Sequence, residues 1–491
     1  MSGPVVAVEG GRVEGRTSGG VSAFLGVPYA GAPFGADRML PPRPVTPWAG
    51  TRPAVEYGPT VPKGDYPPQY QALFPEVVIP GEECLNLNVW TPGGSGLPVL
   101  VWIHGGSFMN GSGSVAEYDG SAFARDGVVC VTINYRLAAE GFLYLGDGTA
   151  NLGLLDQVAA LRWVRENIAA FGGDPDRVTV AGESAGAMSV ITLLSMPLAE
   201  GLFAQAIAQS GAAAHALAPE DGARVGRYLA EALGVPADRE AIAAVPLDRL
   251  VRAASDLVVE VQTAPDPAKW GGLALSLLPF APTVDGHVLP RAPLPAIAGG
   301  QGSGVPLLIG STRDESRLFF VAPGVIDAID EAALGAIAAG YGLPPAGLAT
   351  YRANRPGASP GDILAALVSD WFFRVPAIRV AEARGTAPTW MYRFDHPDPA
   401  ANNGLGACHA VEIPFVFGTT DRPTAAALIG AAPAQAVADT AHAAWVSFVA
   451  TGTPGWSPYT EHDRATALLA EKVTEVSDPA GDERALWEGI R

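Results

Sequence analysis

The feature that most narrows the fold is a pentapeptide, Gly182-Glu183-Ser184-Ala185-Gly186. It follows a short β-prone run, Val178 to Ala181, and precedes Ala187-Met-Ser-Val-Ile-Thr-Leu-Leu194, which reads as a helix. A strand that turns this sharply into a helix leaves no room for side chains at the flanking positions, hence a glycine on each side. The turn lifts the serine hydroxyl off the sheet edge and aims the helix N-terminus at the group the serine meets. Among 59 glycines the motif alone is weak, and its strand-then-helix setting gives it weight. It requires a sheet whose central strand ends at this turn, where ligands bind in open α/β sheets.

The rest of the chain meets that requirement. Leu97–Ile103, Val128–Asn134, Val178–Ala181, Ala206–Ser210, Val305–Gly310 and Thr389–Phe394 read as buried strands by length, β-branched content and bounding turns. Between them Leu154, Val158, Leu161, Val164 and Ile168 fall at near-helical spacing, predicting a helix over Leu154 to Ala170. Apolar strands alternating with helices predict an α/β fold with a mostly parallel sheet covered on both faces. Two stretches, 58–82 and 262–282, are rich in proline and turn residues and read as irregular loops. From 323 to 385 the chain turns helical and alanine-rich. With no repeat and no linker, residues 1–491 read as one catalytic domain carrying helical insertions.

Composition excludes several classes. Hydrophobic residues at 48% against 16% charged suit a large core. A formal charge of −19 argues against nucleic acid or an anionic membrane as partner and favours small neutral or cationic substrates. No uninterrupted apolar stretch is long enough for a membrane span, and the N-terminal segment lacks a basic and then apolar leader. Cys84, Cys130 and Cys408 are too scattered for a disulfide framework or a zinc site, so no metal is expected and a reduced, cytoplasmic setting is. Oligomeric state is not legible.

A serine nucleophile needs a base, an acid that orients the base, and donors for the oxyanion. Strand Leu97–Ile103 ends in His104-Gly105-Gly106-Ser107-Phe108, a turn that leaves backbone amides free, so Gly106, Ser107 and Ala185 are the candidate donors. In the α/β-hydrolase fold the partners follow in the order serine, acid, histidine. That order disfavours His104, His215 and His287 and leaves His396, His409, His442 and His462. His442 lies in an alanine-rich helical stretch, His396 and His462 in polar turns, and His409 after a mobile-looking loop from Asn402. His409 is favoured over the other three. For the acid, Asp314 and Glu315 stand together after strand Val305–Gly310 and pattern does not separate them.

The chain resembles the type-B carboxylesterases, the family of bacterial para-nitrobenzyl esterases, animal carboxylesterases and cholinesterases. The matching segments include Phe24–Ala30, Glu82–Trp90, His104–Phe108, Asn151–Gln157, Phe171–Pro175, Gly182–Ala187, Gln209–Gly211, Asp314-Glu315 and His409 through Gly418. The resemblance implies an α/β-hydrolase fold, a glutamate as the acid, and hence a Ser184–Glu315–His409 triad. It implies hydrolysis of small-molecule carboxylic esters through an acyl-enzyme with no cofactor, with short-to-medium acyl chains and fairly bulky alcohols expected. Glu183 and Asp156 are expected to brace the site. Phe108, Phe319 and Phe415 are the pocket candidates taken from a wider aromatic set of Phe320, Trp371, Phe372 and Phe417. Secreted animal members pair the cysteine corresponding to Cys84 with an upstream cysteine that this chain lacks. The cholinesterase tryptophan loop has no counterpart between Trp48 and Trp90, so choline specificity does not carry over. A non-catalytic binding module on this scaffold would lack the serine, and a lipase or amidase would share the chemistry and differ in pocket shape.

Overall fold

The computed structural model describes residues 3–74, 76–146 and 150–491. Its strands are β1 (Val5–Val8), β2 (Gly11–Glu14), β3 (Arg16–Ser18), β4 (Val21–Pro28) and β5 (Thr51–Pro53). Then come β6 (Asn86–Thr91), β7 (Leu97–Ile103), β8 (Val129–Ile133), β9 (Gly173–Glu183) and β10 (Gln205–Gln209). The last are β11 (Leu307–Thr312), β12 (Thr389–Phe394), β13 (Ala465–Leu469) and β14 (Val473–Ser477).

Strands β1, β2 and β5 form a small sheet, and the other eleven form one large sheet in the order β14-β13-β12-β11-β10-β9-β7-β8-β6-β4-β3. Every pairing from β8 across to β13 is parallel, and both margins are antiparallel. This is the α/β-hydrolase architecture, with β9 in the middle. The period-two alternation of a buried strand is visible in β7. Val99, Val101 and Ile103 enter the apolar core on one face, whereas Leu100 and Trp102 enter the core on the other.

The expected helix runs Leu152–Asn167 and tightens into a 3-10 turn over Ile168–Phe171. The stretch 58–82 holds no strand or α-helix among its described residues. The second supposed loop is more regular than its prolines indicate. Helix Leu247–Thr263 runs into it, and Pro267–Trp270 and Leu273–Ser276 add single turns that bury Trp270. Proline at the first helical position starts such a turn, since the N–H it lacks would be unpaired there, and Asp266 caps the amide of Ala268 at 2.9 Å. Over 323–385 the helices Glu331–Gly340, Pro345–Asn354, Pro360–Ser369 and Val375–Ala383 enclose their own core around Leu334, Tyr351, Leu364 and Trp371. No single helix among the described residues is long and apolar enough to cross a membrane.

Candidate active site

Strand β9 ends at Glu183, and helix Ala185–Ser195 starts two residues later. Ser184 between them takes φ 55° and ψ −122°, a conformation that costs a non-glycine residue about 1–3 kcal/mol and persists only where the surroundings enforce it. The enforcement is close packing. A Cβ at Gly186 would lie 2.0 Å from the carbonyl oxygen of Ile103, and one at Gly182 would lie 2.5 Å from the backbone of Gly186. Below the turn, the Ser184 amide donates to Gln209 O at 2.8 Å, tying it to the end of β10.

The histidine and the acid arrive from strands on the far side of β10. Glu315 follows β11, fully buried, and its Oε1 accepts the Thr312 amide at 2.9 Å. Its Oε2 lies 2.6 Å from His409 Nδ1, and His409 Nε2 lies 2.8 Å from Ser184 Oγ. The two neighbours that sequence left tied are parted by geometry. Asp314 turns away, to Arg313 at 2.8 Å and to the Ala407 amide at 3.0 Å. The loop before His409 is firmer than its glycine and asparagine content indicates. Asn402 accepts the Gly406 amide at 2.8 Å and donates to Gly406 O and Leu428 O, each at 2.9 Å. The His409 amide also donates to Glu315 O at 3.1 Å.

The turn after β7 closes on the serine. Gly106, Ser107 and Phe108 take φ of 108°, 56° and 60° in succession. Met109 and Asn110 both donate to Gly106 O at 2.9 Å. A Cβ at Gly105 would stand 3.0 Å from Ser184 Cβ, so this turn abuts the hydroxyl. Among the described residues the amides of Gly106, Ser107 and Ala185 have no acceptor. Three free donors thus stand where a helix N-terminus adds its own positive end.

Three buried carboxylates, Glu183, Glu315 and Glu412, surround one imidazole. Glu183 Oε1 is 3.2 Å from His409 Nε2. Burial drives the Glu183 carboxyl well above the usual carboxylate range; His409 opposes this, and Glu412 and Glu315 add to it. Burial likewise disfavours charge on His409, but Glu183 and Glu315 outweigh it and push the imidazole up to about 9. Burial and then Glu315 push Glu412 up to about 7, and Gln209 donates to its Oε1 at 3.0 Å. Asp156 plays a different part from the one expected. It is buried against Arg136, accepting from Nε at 2.8 Å and Nη2 at 2.7 Å, and tethers the segment after β8 rather than the triad.

Of the three aromatics expected to line a pocket, Phe319 is 37% exposed, with its ring centroid 5.4 Å from that of His409. Phe108 and Phe415 are corrected: both are fully buried, Phe108 against Phe142 and Phe415 against Phe394 and His396. The length of an aromatic side chain carries it into the core whenever the backbone turn faces that way, and sequence does not show the facing. Phe373, absent from the candidates, stacks near-parallel to Phe319 and lies 4.7 Å from His409. It sits in a π-helical turn, Asp370–Arg374, clamped by two bonds from Arg374 to Asp370 at 2.6 and 2.8 Å and by Tyr351 Oη at 2.6 Å. The Asp-x-x-x-Arg spacing was the available signal, though it reads as an ordinary helical pair. The other three candidate histidines have partners elsewhere or none: His442 bonds Val416 O and Asp126, His396 packs edge-on against Phe415, and His462 is solvent-exposed. No group of residues that could hold a metal occurs among the described residues.

A serine whose hydroxyl meets an imidazole, itself backed by a carboxylate and faced by free amides, can attack a carbonyl and stabilise the resulting oxyanion. Known proteins agree with that chemistry. Residues 2–332 and 349–485 match the profile of the Carboxylesterase family. The chain is 39% identical to the para-nitrobenzyl esterase of Bacillus subtilis strain 168, over 99% of this chain and 98% of the relative. It is 36% identical to the phenmedipham hydrolase of Pseudarthrobacter oxydans over 96% of both. Its fold matches the crystal structure of a carboxylesterase from Geobacillus stearothermophilus with a TM-score of 0.86, at 39% identity, covering 98% of this chain and 99% of that one. The chain therefore belongs to the carboxylesterase family and is a carboxylic-ester hydrolase.

Proposed function

We propose that Ser184, His409 and Glu315 carry out this hydrolysis, and that the amides of Gly106, Ser107 and Ala185 hold the oxyanion. The observation that carries the reading is the unbroken chain of contacts from Ser184 Oγ through His409 to Glu315, at 2.8 and 2.6 Å. His409 Nε2 takes the Ser184 proton as Oγ attacks the ester carbonyl, and Glu315 fixes the Nδ1–H tautomer and offsets the imidazolium charge. The tetrahedral oxyanion forms among the three amides. Nε2 then protonates the departing alcohol, and water repeats the cycle on the acyl-enzyme. Replacing Ser184 by alanine is expected to lower turnover of para-nitrophenyl acetate by about 10⁴–10⁶-fold while the far-ultraviolet spectrum is kept. Near-normal turnover in that variant would end the assignment.

The substrates we assign are esters of short-to-medium acids with bulky, aromatic-containing alcohols. Two features support this: the near-parallel pair Phe319 and Phe373 beside His409, and the para-nitrobenzyl ester named for the Bacillus subtilis relative. We read residues 1–491 as one catalytic unit, the helices of 323–385 being an insertion whose small core abuts the site. A reducing, cytoplasmic setting is supported by the three cysteines, all buried and unpaired. Cell fractionation checks it.

A further inference from the structure

The segment 58–82 crosses the molecule as irregular chain, yet it buries a charge pair that a mere surface excursion would not need. The side chains of Lys63 and Glu76 are 1% and 7% exposed, with Nζ 3.4 Å from Oε1. Taking two charges out of water costs several kcal/mol per ion and is tolerated where the pair is satisfied by further bonds. Among the described residues Lys63 Nζ has no hydrogen bond beside its contact with Glu76, and the further bonds of the pair are those of Glu76. Glu76 Oε2 accepts from Asn110 Nδ2 at 2.9 Å and faces the Gly111 amide at 3.4 Å, and the same Asn110 amide group donates to Gly64 O at 2.8 Å. Asn110 and Met109 in turn donate their backbone N–H to Gly106 O. Tyr66 of the same segment brings its hydroxyl within 3.1 Å of where a Gly106 Cβ would stand.

Gly106, Ser107 and Phe108 hold three successive positive φ values, and a strained run of this kind persists only where its surroundings over-determine it. On one side the fold supplies this through the Ala138 amide donating to Phe108 O at 2.7 Å and through the buried Phe108 ring. On the other side, among the described residues, the carboxylate of Glu76 bonds Asn110 and Gly111, and Asn110 closes the turn through its own amide on Gly106 O. From this we infer that Glu76, neutralised by Lys63, is a positioning residue for the oxyanion amides, so that the turn reaches its productive geometry when segment 58–82 is seated. Neither residue touches substrate. The inference rests on the reading of the Gly106 and Ser107 amides as oxyanion donors.

Four variants and two inhibitors test it. Glu76→Ala removes the acceptor, Glu76→Gln keeps an acceptor but leaves Lys63 unpaired, and Lys63→Met combined with each tells charge from hydrogen bond. Misplacing oxyanion donors by a fraction of an ångström costs about 10–100-fold. Accordingly kcat for para-nitrophenyl acetate is expected to fall by about that factor in Glu76→Ala, with KM changed by less than about threefold. Glu76→Gln/Lys63→Met is expected to recover most of the loss, and Glu76→Ala/Lys63→Met is not. Phenethyl trifluoromethyl ketone, which forms a hemiketal oxyanion on the serine, is compared with phenethyl methyl ketone. The preference for the fluorinated ketone is expected to shrink in parallel with kcat. If the variants melt lower yet keep wild-type kcat and wild-type ketone preference, the pair only staples the segment to itself and the inference falls. If the wild-type protein shows no preference for the fluorinated ketone, the oxyanion reading fails before this one is reached.

Discussion

The two halves of the proposed catalytic constellation are held by different means. Ser184 is fixed by backbone against backbone: a strand, a helix and the end of β7 meet with no space for a methyl group at Gly182 or Gly186. His409 is fixed by side chains reaching across a loop, through Asn402, Asp314 and Glu315. Close packing gives a position that cannot relax, because interiors are packed like crystals and transmit any added volume. A bonded loop gives a position that can be tuned one contact at a time. In the proposed cycle the nucleophile needs a single geometry, whereas the imidazole exchanges protons with two partners in turn.

The difference breaks first, and most severely, at the glycines. Gly186→Ala is expected to cost about 4 kcal/mol or more and to yield no active folded protein, because nothing beside Ile103 can move. Gly404→Ala in the His409 loop meets no atom closer than 3.8 Å and is strained only by its φ of 85°, so a loss of about 1 kcal/mol is expected. Chemical denaturation of the two variants decides, and equal losses would erase the contrast.

Next in size is the acid. Glu315→Gln is expected to lower kcat by about 10³–10⁴-fold, through the wrong imidazole tautomer, with folding intact. Asp314→Asn is expected to lower it by about tenfold at most, since that side chain steadies the loop at Ala407 and Arg313. Steady-state kinetics on both rank the two neighbours, and a reversed order would overturn the acid assignment.

That pair also shows where sequence reading stops. The turn at Ser184 was legible because its cause is local: strand, two glycines and helix lie within a short stretch of chain. Likewise the strands of the parallel centre were legible as apolar runs; Thr389–Phe394 is found with the boundaries predicted for it. The choice between Asp314 and Glu315 depends on which way a turn faces after β11, and family resemblance rather than residue pattern made it. Phe108 and Phe415 were misplaced for the same reason, and Phe373 was missed because a π-helical turn shifts a side chain by part of a turn without changing the sequence pattern. Strands β4, β6, β13 and β14 were not read as strands. The first two are almost wholly buried and pair antiparallel, β14 is an edge, and β13 pairs parallel with β12 and antiparallel with β14.

A subtler test uses pH. A histidine held up by neighbouring carboxylates must lose its proton to act as base, so kcat/KM is expected to rise with pH toward a midpoint near 9. Removing a nearby negative charge destabilises the imidazolium, so Glu183→Gln is expected to move that midpoint to lower pH. An unmoved midpoint would mean that Glu183 bears no charge beside His409. Smallest of all is the aromatic pair. Phe319→Ala is expected to change kcat/KM for a para-nitrobenzyl ester relative to an ethyl ester by about five- to thirtyfold, the worth of roughly 1–2 kcal/mol of ring contact. Equal losses on the two esters would remove Phe319 from alcohol recognition.

Lysine occurs at three positions, 63, 269 and 472. Lys472 is exposed and Lys269 partly so, held by Glu260, while the amine of Lys63 lies under its own segment and is pushed by burial below its ordinary range. An amine-acylating reagent therefore marks Lys472 at once, and Lys63 only in those moments when residues 58–82 lift away. The mass of one peptide, followed over time, becomes a clock for how often that segment leaves Asn110 and Gly111.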